Sequence, residues 1–140
     1  VVFAYGQTSS GKTYTMSGEG AETPGLVHLA NSEIFRALLD APDREFLMRV
    51  SFLEIYNEQL RDLLDQENKP IIKEDPKKGV YVQAKERVVT GYNDIIDALD
   101  EGKRSCVFAA TEMNERSSRS HTIFRIVIES KVQTEPLEVD

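Results

Sequence analysis

Between Gly6 and Thr13 the chain reads Gly6-Gln7-Thr8-Ser9-Ser10-Gly11-Lys12-Thr13, which fits G-x-x-x-x-G-K-[ST]. This spacing suits the holding of a run of phosphates. The glycines let the backbone turn tightly and bring its N–H groups against phosphate oxygens. The N-terminus of a helix opening near Gly11 adds a favourable partial charge for an anion. Lys12 supplies a full positive charge toward the outer phosphates, and the Thr13 hydroxyl can ligate Mg²⁺. By average composition such a pattern arises by chance in on the order of one in two hundred chains of this length. Here it also follows an apolar run and opens a helix, the context the motif requires. The residues indicate a nucleoside triphosphate without choosing between ATP and GTP. The competing reading is a glycine- and serine-rich turn that binds nothing.

The elements that must position this loop follow from periodicity. Val1-Val2-Phe3-Ala4-Tyr5 is an apolar run expected to be a buried strand, with a helix from about Gly11 to Met16 after the loop. Ser17 to Gly25 is rich in breakers. Leu26, Leu29, Ala30, Ile34, Ala37 and Leu38 recur near a 3.6 period and predict a helix over Leu26–Asp40, ended by Pro42. Glu45–Tyr56 alternates, with Phe46, Met48, Val50 and Phe52 on one face of a long strand. Asn57 offers a cap for a short helix, Glu58–Leu64. Ile71-Ile72, Val80–Val82 and Val88-Val89 are short β candidates, expected as small hairpins outside the main sheet. Asn93 or Asp94 can cap a helix to about Ala109, with Ile95, Ile96, Leu99 and Cys106 inward. Thr111–Ser120 reads as a polar loop, and Thr122–Lys131 as a strand with Phe124, Ile126 and Ile128 on one face. Strands alternating with helices indicate an α/β layered fold.

The chain has 140 residues, 40% apolar and 29% charged, which suits one domain or a large piece of one. No apolar stretch of about 18 residues predicts a membrane span, and no secretory signal is visible. The single cysteine, Cys106, excludes an internal disulfide and fits a reducing compartment. The net charge of −7 argues against a general nucleic-acid binder, which carries a basic footprint. From Lys69 to Arg104, however, eight basic and seven acidic side chains leave +1, so the remainder carries −8. That stretch could face an acidic partner; on charge alone a solvated mixed surface is the more ordinary reading.

A second constellation, Asn114 with Ser117-Ser118-Arg119-Ser120-His121, becomes informative beside the first. VVFAYGQTSSGKTYTMSG resembles the phosphate-loop segment of kinesins. VSFLEIYNEQLRDLL resembles the segment where a long kinesin strand runs into a short helix, and MNERSSRSHTIF resembles switch I, N-x-x-S-S-R-S-H. The matches keep the family's order and approximate spacing over nearly the whole chain. PDREFLMRVSFLEIYNE, KEDPKKGVYV and ESK are most similar to the centromere-associated, mitotic branch, including its plant members.

The resemblance implies a partial P-loop NTPase fold of the kinesin-motor type: α/β, three layers, a central sheet and flanking helices. It implies ATP and Mg²⁺ as cofactors, held by Gly6, Gln7, Thr8, Ser9, Ser10, Gly11, Lys12 and Thr13. Tyr14 stands where kinesins place a ring beside the adenine, with packing on its own helix as the alternative. Asn114, Ser117 and Ser118 would reach the γ-phosphate, the attacking water and the Mg²⁺ shell, with Thr13 and Ser118 as metal ligands. Arg119 would close an ion pair with an acid in switch II, and His121 reads as structural. The partner implied is the microtubule, touched secondarily by the hairpin region around Lys77, Lys78, Lys85 and Arg87. Neither nucleic acid nor membrane is expected as a partner, and nothing in the segment bears on dimerisation. The implied location is the cytoplasm and cytoskeleton, on spindle or kinetochore microtubules.

The family's first strands, switch II (D-x-x-G-x-E), the main microtubule-binding helix and the neck are not found in these residues. The expectation is a part of a motor domain, poorly stable and a poor ATPase alone, because placing water and balancing charge need both switches. The rival readings are a non-catalytic remnant that binds nucleotide or tubulin weakly, and a GTPase or other P-loop protein, for which no base-recognition motif is visible.

Overall fold

The computed structural model describes residues 1–20, 22–77, 79–110 and 119–133, without the side chains of 107–110. A 13-residue strand, β1 (Arg44–Tyr56), is its spine. An equally long strand, β6 (Ser120–Val132), pairs antiparallel with the whole of it, from Arg44↔Val132 to Tyr56↔Ser120. The other edge of β1 is shared. β2 (Gln59–Asp62) pairs with Leu53–Tyr56, and β5 (Arg87–Val89) pairs with Met48–Val50, both antiparallel. β3 (Ile71–Asp75) and β4 (Gly79–Gln83) form a separate two-stranded hairpin.

Among the described residues there are three helices: α1 (Lys12–Ser17), α2 (Leu26–Leu39) and α3 (Tyr92–Ala110). The apolar alternation of β1 decides where the core lies. Met48, Val50 and Phe52 point to one face and meet Ile95, Ala98 and Leu99 of α3, with Val27, Ile34, Phe35 and Leu38 of α2 packed alongside. Side chains two apart on a strand share a face, and those three or four apart share a helical stripe, so both periods converge on one core. On the opposite face of β1 and β6, Arg49 pairs with Glu86 and Glu129, and Arg125 pairs with Glu86. The chain is therefore α/β, a sheet core with helices packed on it.

Three expectations need correction. Val1–Tyr5 forms no strand and is largely exposed, with Phe3 at 80% and Tyr5 at 94%. A strand is buried by its neighbours, and none pairs with this run among the described residues. Asn57 caps no helix: Asn57 (φ 48°) and Glu58 (φ 62°) both lie at positive φ between the partners Tyr56 and Gln59. That is the two-residue turn that matches strand twist, so the chain doubles back as a hairpin. Among the described residues, β3 and β4 are the strands outside the main sheet; Val88-Val89 belongs to β5 within it.

Helix α3 also begins earlier than its expected cap. Asp94 lies in its first turn, and its Oδ2 accepts from Thr90 N (2.7 Å), Thr90 Oγ1 (2.8 Å) and Gly91 N (3.2 Å). The carboxylate thus closes the lead-in to the helix, and those donors hold its pKa below the ordinary 3.8. Among the described residues no helix is long and apolar enough to cross a membrane.

Candidate functional site: the Gly6–Tyr14 loop and helix

The Gly6–Thr13 loop contains no acidic side chain and opens directly into α1. Gly11, the residue before the helix, sits at φ 89°, ψ 12°, left-handed backbone that a Cβ would strain. No side chain caps the helix start. The first N–H groups of any helix lack intrahelical acceptors, and in α1 these are the N–H groups of Lys12 to Tyr14. Ser9 also lies at positive φ (64°), and Ser10 N donates to Gln7 O at 3.2 Å, which tightens the turn. A Cβ at Gly6 would stand 2.5 Å from Ser10 Oγ, so the loop closes on a residue with no side chain.

Lys12 arches back over this loop. Its Nζ donates to Gly6 O and to Gln7 O, each at 2.7 Å. An ammonium has three donors, so one remains for an anion, and the two carbonyls fix where the charge sits. The donor set is an ammonium, the first backbone N–H groups of α1 and hydroxyls, on a loop whose own residues carry no carboxylate, and it fits a phosphate chain. Thr13 is exposed, and its hydroxyl is an oxygen donor of the kind Mg²⁺ accepts. Tyr14 is 53% exposed, with its ring turned in part to solvent.

Helix α1 packs on α2, α2 on α3, and α3 on β1. Asn114, Ser117 and Ser118 lie outside the described residues. Arg119 is exposed in the turn that enters β6, and His121 is the second residue of that strand, exposed. The structure therefore brings together the loop residues and places Arg119 at the head of β6, opposite the end of β1.

The basic hairpin region is less free than composition implied. Lys85 Nζ is 2.5 Å from Asp65 Oδ2, which lowers the pKa of Asp65 and raises that of Lys85. Arg87 donates to both oxygens of Glu101, at 2.7 and 2.9 Å. Two of the four cations are thus engaged internally. Lys78 lies outside the described residues, and Lys77 is exposed, with its backbone N–H donating to Asp75 Oδ1 at 2.8 Å.

One grouping escaped the sequence reading. Asp62, 3% exposed, accepts from Leu64 N, Asp65 N, Asn68 Nδ2 and Lys85 N. Its one local signal is an Asp followed by an Asx-type turn; the reach to Lys85 crosses 23 residues. Among the described residues no cluster of His, Cys, Asp or Glu is suited to a metal.

Comparison with known proteins agrees with this geometry. The kinesin motor domain family model matches residues 1–138. The chain is 47% identical over 139 residues to kinesin-like protein KIN-7I of Oryza sativa subsp. japonica, covering 98% of this chain and 11% of that protein. It is 48% identical over 139 residues to human centromere-associated protein E, covering 96% of this chain and 5% of that protein. The solved structure of a fast kinesin superposes with a TM-score of 0.86 at 39% identity, covering 93% of this chain and 38% of that one. The chain thus spans a small part of the relatives it matches. With a family model that runs through almost every residue and a fold shared with a solved kinesin, the chain belongs to the kinesin motor domain family.

Proposed function

We propose that this chain is the ATP-binding portion of a microtubule motor, coupling nucleotide binding and hydrolysis to movement along microtubules. The observation that carries the reading is Lys12, held by Gly6 O and Gln7 O at 2.7 Å over a loop with no carboxylate. Lys12 and the N–H groups of residues 11–14 bind the phosphates, and Thr13 holds Mg²⁺. The metal ion would neutralise phosphate charge when bound. Tyr14 lies beside the base. Asn114, Ser117 and Ser118 orient the γ-phosphate and water, Ser118 completes the Mg²⁺ shell, and Arg119 forms an ion pair that closes the site. Turnover by this chain alone is slow, because positioning water takes groups from more than one switch. We infer membership of the branch of plant KIN-7 proteins and centromere-associated protein E, and a cytoplasmic, cytoskeletal location on spindle or kinetochore microtubules; the similarity to relatives of that kind supports this reading.

The test is a titration of a fluorescent ATP analogue with Mg²⁺ against the wild type and Lys12→Ala. Saturable binding that weakens at least tenfold in the variant is expected, since a charged hydrogen-bonding partner is removed. Absence of binding in both would leave a non-catalytic kinesin segment as the better reading.

A further inference from the structure

The β3–β4 hairpin stands apart from the main sheet, so each of its strands has one edge with no strand beside it among the described residues. An open edge offers backbone N–H and C=O groups to another strand, and charged side chains on the edge are the usual protection. The two strands differ in this respect. β3 reads Ile71-Ile72-Lys73-Glu74-Asp75, with three of its five side chains charged. β4 reads Gly79-Val80-Tyr81-Val82-Gln83 and carries no charge. Val80 is 70% exposed, and Ile72, which stands opposite Val82 in the hairpin, is 63% exposed. The sequence of β4 is also symmetric about Tyr81, with a valine on each side.

We propose that β4 pairs antiparallel with β4 of a second copy of this chain, about a two-fold axis at Tyr81, joining the two hairpins into one four-stranded sheet. Val80 then stands opposite Val82 of the second copy, and Tyr81 opposite Tyr81. Residues directly opposite share a face, so Ile72, Val82 and the second copy's Val80 form one apolar row, and the axis repeats it. Glu74, opposite Val80 in its own hairpin, ends each row at the far strand. Lys73 and its counterpart are kept apart by both β4 strands. The same pairing through β3, centred on Lys73, would set Lys73 against Lys73, and like charges directly opposite are destabilising. Charge therefore favours β4 over β3 as the contact. A two-fold contact closes on itself and stops at two chains. One five-residue edge is about 17 Å long, so the contact is small and the dimer weak, dissociating in the micromolar range. This inference stands apart from the nucleotide reading, since none of these residues belongs to the Gly6–Tyr14 site.

Sedimentation equilibrium of the whole chain over a wide range of concentration tests the pairing. Wild type is expected to pass from the mass of one chain to that of two and no further. Val80→Lys should weaken the dimer about tenfold or more, because symmetry places the change in the contact twice. Within one chain that side chain faces Glu74 and solvent, so the variant should keep its fold, read by circular dichroism. The Val80→Lys/Val82→Glu double variant, whose new charges face each other between copies, should recover most of the loss. Mild oxidation gives a second reading. Tyr81→Cys sets two thiols opposite each other within disulfide reach, and should cross-link to a dimer faster than wild type, whose one cysteine is Cys106. Lys73→Cys, three strand spacings or about 14 Å from its counterpart, should not. A chain that stays monomeric throughout would overturn the inference. So would a dimer unaffected by Val80→Lys, cross-linking of Lys73→Cys in place of Tyr81→Cys, or open-ended growth beyond two chains.

Discussion

Asp62 Oδ2 accepts the backbone N–H of Lys85 at 3.2 Å, and through it one carboxylate holds both roots of the β3–β4 hairpin. The same oxygen takes Asn68 Nδ2 at 2.8 Å on the outgoing root. The other oxygen takes Leu64 N at 3.0 Å and Asp65 N at 3.2 Å, shaping the turn that follows β2. Removing this acceptor would strand several part-buried donors at once. Asp62→Ala is therefore expected to lower stability by about 2–3 kcal/mol, the cost of leaving buried polar groups unpaired. Asp62→Asn, which keeps one acceptor oxygen, should cost less. Urea denaturation measures both, and an unchanged midpoint for Asp62→Ala would show that the hairpin is held by other contacts.

Asn31 presents the opposite case. It is fully buried on the core side of α2, between Val27 and Ile34 in the apolar stripe, and neither Oδ1 nor Nδ2 has a partner. A buried amide without hydrogen bonds costs free energy that an apolar side chain of similar volume does not. Asn31→Leu should raise stability by about 1–2 kcal/mol, read as a higher urea midpoint with the slope unchanged. A fall would mean that a water or another polar group satisfies the amide in solution.

Much of the frame was legible because periodicity reports burial directly. Leu26–Asp40 and Glu45–Tyr56 were expected, and Leu26–Leu39 and Arg44–Tyr56 are found. Asn57 misled because Asn serves equally at a helix start and at positive φ in a tight turn; what followed, not Asn57, decided which. Val1–Tyr5 misled because an apolar run states that it could be buried and not by what. In the site, the spacing from Gly6 to Thr13 announced Lys12 and its loop. It could not announce that Lys12 Nζ would settle on Gly6 O and Gln7 O, nor that Arg87 would turn to Glu101. Such pairings depend on how distant elements meet.

Acid should unfold the chain along a defined limb. Arg87 holds the Glu101 carboxyl below its ordinary 4.5, and Lys85 holds Asp65 below 3.8, with burial opposing in each case. A folded pKa below the unfolded one means that the unfolded chain takes up protons first. These contributions are complete above the ordinary values and are lost as pH falls through the depressed folded ones. Stability should therefore be insensitive to these groups at pH 5–7 and fall below about pH 4.5. Arg87→Gln should make that limb shallower, because Glu101 then titrates closer to its unfolded value. Thermal midpoints from pH 3 to 7 measure it, and an identical acid limb in the variant would show that the fork does not persist in solution.

Gly102 and Phe52 test how tightly α3 is seated. The Phe52 ring cannot simply retreat from a new methyl group, because it packs edge-on to Phe124, with centroids 5.3 Å apart at 88°. Gly102 itself lies in helical backbone, where alanine is intrinsically favoured by about 1 kcal/mol. A Cβ 2.1 Å from Phe52 Cδ1 reverses that preference, since overpacking a filled core costs about 1–3 kcal/mol. Gly102→Ala is thus expected to destabilise, against its helix propensity. Phe52→Leu alone should also destabilise, by opening a gap against Phe124. Combined, the two should cost less than their sum, because the methyl group occupies space that the smaller side chain vacates. Strict additivity in denaturant midpoints would mean that α3 shifts away from the sheet to admit the methyl group. That shift would draw Glu101 away from Arg87 on β5, so in that case the same variant would also lengthen the ion pair.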